Sequence, residues 1–278
     1  MARGETDHDR PARPSSLHRY GQNHLVDANI LRVILAMAAV RPDDVVLEVG
    51  AADGLLTERL LEQAAVVHAF EIDRRFAERL GELVAKRANL RLHVGDALKA
   101  PLDRLEPSPT HLVANLAYNI AIPLIVETAG GAPTIERWAV MVQKELEERL
   151  FAPPRTKAYS AVSVLVQLAC ELVAVRPIPR TVFSPIPSVD SAFVTFKRRA
   201  GWPREEWETV ARLVRLAFGQ RRKMLTNSLS GAAHAGRALA RDDVRRALEA
   251  LALPEAARPE ELAPPQFVAL AREVGWSG

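Results

Sequence analysis

One cysteine in 278 residues, Cys170, leaves no partner for an internal disulfide. Its apolar setting over residues 164–170 reads as a small core side chain and not a redox group. No His, Cys or carboxylate cluster has metal-ligand spacing, so no resident metal is expected. No apolar run approaches the roughly eighteen residues of a membrane-spanning helix. Residues 1–16 are polar, mixed in charge and without the apolar stretch of a secretory signal, so a cytoplasmic protein is expected. A G-x-G-x-x-G phosphate turn is missing too, which argues against a nicotinamide dinucleotide. Repeats and low-complexity tracts are absent apart from an Ala/Arg-rich bias over 231–247.

What is present is enough for a proper core: 48% of the residues are apolar. Residues 1–18 read as a disordered tail. After a helix over about 27–40, strand-like and helical patterns alternate. Strands are expected at 45–49, 66–72, 90–94, 112–114 and 139–142, and helices at 55–63, 75–87, 122–128 and 145–151. Such alternation predicts βαβ units, hence an α/β fold whose mostly parallel sheet is covered on both faces. Two longer strand-like runs, 163–176 and 192–198, show no helix between them and are expected to pair antiparallel at the sheet edge. Near Gly201 the pattern changes. From Arg204 the chain is expected to be helical throughout, with Trp207, Val210, Leu213, Val214, Phe218, Leu225 and Leu229 near helical spacing and further helices at 241–250 and 265–274. A small helical C-terminal domain, 201–278, is therefore expected beside a domain spanning 19–200.

The net charge of +3 is mild but unevenly placed. Between Lys197 and Lys223 nine basic residues stand against three acidic ones. A local basic stretch in an otherwise balanced chain is the electrostatic footprint of a nucleic-acid partner, the bland alternative being a solvated helix face. Arg221, Arg222 and Lys223, expected on a helix, are the candidate phosphate contacts.

Five features fall in chain order where open α/β sheets bind ligands, at the carboxyl ends of their strands. Gln22 and Asn23 precede the first helix. Glu48-Val49-Gly50-Ala51-Ala52-Asp53-Gly54 is a strand-to-helix turn with two glycines. Glu71 lies 21 residues beyond Gly50, the separation at which a carboxylate meets ribose hydroxyls in dinucleotide folds. Gly95-Asp96-Ala97 follows the third strand and offers a carboxylate to an adenine amine. Asn115 ends the fourth. An acidic turn suits S-adenosylmethionine, a cofactor with no phosphate and an ammonium group on its methionyl end.

Asn115-Leu116-Ala117-Tyr118 carries the chemistry. The N6 lone pair of adenine is delocalised into its ring, so the amine is a poor nucleophile. Acceptors on its two hydrogens, the Asn115 side-chain oxygen and the Leu116 carbonyl, favour a tetrahedral nitrogen with a localised pair. Tyr118 is placed to stack on a base taken out of its helix or loop. In Phe183-Ser184-Pro185-Ile186-Pro187, two prolines stiffen a loop able to hold Phe183 against the other face of that base, unless Phe183 simply fills the core.

With these positions in hand, the chain resembles the ribosomal RNA adenine N6,N6-dimethyltransferases that modify small-subunit RNA. The resemblance runs from about Gly21 to Leu229. It rests on Gly21-Gln22-Asn23-His24-Leu25, Gly95-Asp96-Ala97-Leu98, Asn115-Leu116-Ala117-Tyr118-Asn119, Gln143-Lys144-Glu145, Thr156-Lys157-Ala158-Tyr159, the loop from Phe183 to Ser191, and Gln220-Arg221-Arg222-Lys223. The last two are the most specific. The resemblance implies a Rossmann-like class I methyltransferase fold and a cofactor site at Asn23, Leu25, Gly50, Glu71, Asp96 and Asn115. It implies dimethylation of two adjacent adenines in the terminal hairpin of 16S ribosomal RNA by a monomer. The chain departs from the family's usual Glu-Ile-Gly-Pro-Gly turn at Ala51 and Ala52, from Asn-Leu-Pro-Tyr at Ala117, and from phenylalanine at His24. Two other readings stand beside this one: a large-subunit RNA adenine methyltransferase conferring macrolide resistance, and an RNA-binding assembly or transcription factor that kept the fold and lost most activity.

Overall fold

The computed structural model describes residues 24–25, 27–184, 186–234 and 237–276. Gln22, Asn23, Pro185 and the expected tail over 1–18 lie outside the described residues. In chain order the first elements are β1 (His24–Leu25), α1 (Ala28–Ala38), β2 (Val45–Val49), α2 (Leu55–Leu61), β3 (Val66–Glu71), α3 (Ala77–Lys86), β4 (Leu90–Val94), β5 (His111–Asn115), α4 (Tyr118–Gly131) and β6 (Arg137–Gln143). There follow α5 (Lys144–Leu150), α6 (Ala161–Ala169), β7 (Cys170–Ile178), β8 (Phe183–Ser184), β9 (Ser191–Arg198), α7 (Trp207–Gly219), α8 (Leu225–Ser228), β10 (Ala233–His234), β11 (Arg237–Ala238), α9 (Arg241–Ala250) and α10 (Pro264–Glu273).

Seven strands form one sheet in the order β4-β3-β2-β5-β6-β9-β7. β2 to β6 run parallel, and β9 is antiparallel to both β6 and β7. Every residue of β2 is buried, as expected of a parallel strand covered on both faces. The strand order reverses between β2 and β5, and there an open α/β sheet leaves its ligand crevice. Asp27 caps α1, its carboxylate accepting from the Asn29 and Ile30 N–H groups at 2.7 and 3.0 Å.

Three expectations are corrected. The run at 163–176 is not one strand: its first part is α6 and only β7 is extended. The Ser160 N–H donates to Ser163 Oγ at 3.0 Å, opening a helix whose residues from Val162 to Val166 are all buried. A helix covered on all sides has no polar face, so its valines read as a strand. α4 starts one turn earlier than expected, at Tyr118, because Pro123 lies inside the helix and not at its start. Beyond Arg204 the chain is not helical throughout: residues 220–224 form a turn between α7 and α8, and β10 pairs with β11 as a short hairpin.

α7 seats on α4 at Gly130, where an added Cβ would come within 1.6 Å of Trp207 Nε1. The buried residues of α7 to α10 join the sheet in one hydrophobic core reaching from Leu47 to Trp276.

Candidate active site

The carboxyl ends of β2, β3, β4 and β5 surround one cleft, open to solvent. Gly50, Glu71, Asp96, Asn115, Leu116, Tyr118 and Phe183 all line it, so seven positions singled out in the sequence converge on one space. Asn23 lies outside the described residues. Leu25 is placed by its backbone, which pairs in β1 with Phe183 of β8.

The turn after β2 is the cleft's floor. Gly50 has φ +83°, and a Cβ there would lie 3.8 Å from the Asn115 carbonyl oxygen, so the turn passes close to the end of β5. Gly50 and Ala51 both donate their N–H to the Phe70 carbonyl, at 2.9 and 3.2 Å. Ala52, at the family's second glycine, has φ +48°, a left-handed backbone that costs an alanine on the order of 1 kcal/mol. It is held there by its N–H, which donates to Glu71 Oε2 at 2.8 Å. Glu71 Oε1 accepts from the Asp73 N–H at 2.7 Å, so this buried carboxylate ties the β2 turn to the end of β3. A carboxylate has about four acceptor sites, so Glu71 keeps capacity for a ligand hydroxyl. Burial raises the Glu71 pKa above the usual carboxylate range, against the backbone N–H groups of Asp73, Ala52 and Ile72, which lower it.

Glu48 is a site residue that the motif contained but spacing did not single out. The signal was a carboxylate inside the apolar run of β2. It is 1% exposed, and its Oε2 has no geometrically formed hydrogen bond among the described residues. Burial, with the neighbouring charges of Glu71 and Asp53, pushes its carboxyl up to about 8. Ile72, 45% exposed and lining the cleft directly after Glu71, offers an apolar face beside a hydrogen-bonding edge. Met141 and Phe193 complete the wall from strand interiors, where nothing in the sequence distinguishes them from core.

Asp96 caps a short turn, accepting from the Leu98 N–H at 3.0 Å, and still lines the cleft. The Leu116 N–H is bound to the Met141 carbonyl at 3.1 Å, which fixes the strand end. Ala117, with φ −62° and ψ 143°, then turns the chain into α4, and Tyr118 is the first helical residue. Phe183 is 3% exposed, so it forms cleft wall and core at once.

Four carboxylates, Glu48, Asp53, Glu71 and Asp96, line this space, and no lysine, arginine or histidine does among the described residues. Glu48 keeps its proton up to about 8, and the other three leave a lining that disfavours pyrophosphate and suits a cofactor that carries a sulfonium and an ammonium and no phosphate. The orphaned oxygen of Glu48 and the open cradle at Gly50 fit S-adenosylmethionine, which Glu71 would hold by its ribose and Asp96 by its adenine amine.

The basic stretch is divided. Lys197 pairs with Glu171 at 2.8 Å, and Arg198 donates to the carbonyls of Ile135, Ala129 and Ala132 beneath Trp138 and Trp202. Arg212 lies over Trp276. Arg221, expected to reach phosphate from a helix, sits in the turn and donates to Glu260 Oε2 at 2.7 Å and to the carbonyls of Lys157 and Thr156 at 2.8 and 2.9 Å. That expectation narrows to Arg222 and Lys223, which are exposed with no ion pair among the described residues.

Against this geometry stand the likenesses to known proteins. The sequence profile of ribosomal RNA adenine dimethylases matches residues 15–252. A ribosomal RNA small subunit methyltransferase A of Rubrobacter xylanophilus is 41% identical over 261 residues, 94% of this chain and 96% of that one. That of Geobacillus thermodenitrificans is 37% identical over 258 residues, 90% and 88% of the two chains. Among solved structures, a dimethyladenosine transferase from Plasmodium falciparum superposes with a TM-score of 0.76 at 26% identity, covering 92% of this chain and 98% of that one. The 23S rRNA methyltransferase ErmE gives 0.62 at 30% identity, covering 91% and 100%. A class I methyltransferase sheet, an acidic cleft at its switch point and a match over most of the chain agree: the chain belongs to the ribosomal RNA adenine dimethylase family.

Proposed function

We propose that the protein transfers methyl groups from S-adenosylmethionine to the N6 amines of two adjacent adenines in the 3′-terminal hairpin of 16S ribosomal RNA, as a monomer acting in the cytoplasm during small-subunit maturation. The observation that carries this reading is the acidic cleft, without a cation among the described residues, with Asn115 and Tyr118 on its wall. When bound there, S-adenosylmethionine supplies an electrophilic methyl group. The work of this chain's residues is to make a poor nucleophile attack it.

Asn115 accepts one hydrogen of the target amine through its side-chain oxygen, and the Leu116 carbonyl accepts the other. Together they withdraw the lone pair from the ring and orient it. Tyr118 supplies a half-buried face for the flipped base, and Phe183 bounds the space opposite. No general base is required, because the methylated nitrogen on an electron-poor ring is acidic enough to lose its proton to water. Phosphate contacts from Arg222 and Lys223 dock the RNA without reading its sequence.

The test is incubation of purified protein with labelled S-adenosylmethionine and unmodified small subunits, followed by nucleoside mass analysis. Label in N6,N6-dimethyladenosine of the 16S RNA is expected. Label confined to 23S RNA would favour the large-subunit reading, and subunit binding with no label would favour the assembly-factor reading.

A further inference from the structure

Arg221 joins two parts of the molecule that are far apart in sequence. Its Nη1 and Nη2 donate to the Lys157 and Thr156 carbonyls in the connection from α5 to α6, while its Nε is paired with Glu260. The same connection is fastened twice more. The Arg155 N–H donates to the Glu260 carbonyl at 2.7 Å, and the buried Tyr159 hydroxyl donates to the Leu262 carbonyl at 2.7 Å. Arg155 holds φ +66°, a conformation that a non-glycine residue keeps only where its surroundings impose it. Three of the five guanidinium donors of Arg221 are thus spent inside the protein, and Glu260 neutralises its charge.

What this arrangement leaves outside is cationic. Arg155 and Lys157 on one turn and Arg222 and Lys223 on the other are all exposed, and none has an ion pair among the described residues. Glu261, the next acid in the chain, accepts from the Arg258 N–H at 2.7 Å. We propose that Arg221 is a positioning residue that brackets the 153–159 connection to the 220–224 turn, so that Arg155, Lys157, Arg222 and Lys223 form one binding surface for the phosphate backbone of RNA. This inference rests on the RNA-methylation reading and adds Arg155 and Lys157 to its docking surface.

The experiment measures affinity for unmodified small subunits across a salt series, with calorimetric binding of S-adenosylmethionine as the check that each variant is folded. Replacing Arg155 and Lys157 together by glutamine should lower the slope of log affinity against log salt by about 1.4, near 0.7 per charge for single-stranded RNA. The Arg222→Gln/Lys223→Gln pair should lower it by a similar amount. Arg221→Lys keeps the charge, but an ammonium cannot span three acceptors, so binding should weaken and the slope should fall. A phosphate-contacting Arg221 would instead leave the slope of that variant unchanged. Glu260→Ala makes the surface more positive, and simple attraction predicts tighter binding. The bracket predicts weaker binding. The proposal is overturned if Arg221→Lys binds like the natural protein, if Glu260→Ala binds more tightly, or if the Arg155/Lys157 pair leaves the slope unmoved. A natural protein that binds no subunits at any salt would instead overturn the RNA reading itself.

Discussion

The two charged regions of this protein are built on opposite plans. The cleft at the switch point gathers four carboxylates and no cation among the described residues, from strand ends that the backbone holds in fixed register. The turns around Arg221 gather exposed cations from loops that Arg221 joins through side-chain and carbonyl bonds. The first encloses a small cation-bearing ligand, where a buried carboxylate acts strongly in a low dielectric. On the proposed reading, the second meets a long polyanion at the surface, where many screened contacts add. Substitutions in the cleft should therefore change chemistry or cofactor affinity with little salt dependence, and those at the turns should do the reverse.

The largest effect is expected at Asn115. Replacing it by alanine should depress turnover by about 10²–10³, the scale for removing one preorganised hydrogen-bonding group. Subunit affinity and its salt slope should stay unchanged. Single-turnover methylation at the natural rate with saturating cofactor would remove the amide from the mechanism.

Glu71→Ala comes next. It removes the proposed ribose acceptor and the partner of the Ala52 N–H, so the left-handed turn loses its tether. Cofactor affinity should fall by roughly 1.5–3 kcal/mol, the range for hydrogen bonds to a charged group. Calorimetry with unaltered affinity would separate Glu71 from the site.

Glu48 sharpens the contrast through pH. Its folded carboxyl, near 8, is raised above the value of 4.5 in the unfolded chain. Between these values the unfolded state has released a proton that the folded state still holds, so stability falls as pH rises, by at most about 1.4 kcal/mol per pH unit. Glu48→Gln should abolish this contribution. In urea unfolding, the stability of the variant relative to the natural protein should therefore climb from pH 4.5 to pH 8. A constant difference would show that Glu48 does not titrate in that window.

The smallest effect is expected at Ala117. Its φ of −62° and ψ of 143° are values proline adopts, so the substitution that restores the family residue meets a compatible backbone. Ala117→Pro should add about 0.4–1 kcal/mol of order. The gain in turnover should stay below about tenfold, since one decade needs about 1.36 kcal/mol. A hundredfold gain from an otherwise inert protein would favour the assembly-factor reading.

The two plans also explain what the sequence revealed. In the cleft, each functional group follows an apolar strand, so chain order alone aligns Gly50, Glu71, Asp96 and Asn115, and the fold brings them together. Glu48 was harder to read, because a carboxylate within β2 gains meaning only once its burial is known. Met141 and Phe193 gave no signal, since wall and core are the same apolar residues. At the turns, clustering in sequence misled. Lys197, Arg198, Arg212 and Arg221 are bound within the protein, while Arg155 and Lys157 lie dozens of positions upstream. The sequence hides α6 for a related reason, its burial being set by neighbours from distant parts of the chain.

The measurement that tests the central claim most directly is parallel calorimetric titration of the protein with S-adenosylmethionine and with NAD. The acidic cleft predicts saturable binding of S-adenosylmethionine and none of NAD. Binding of NAD without S-adenosylmethionine would contradict it.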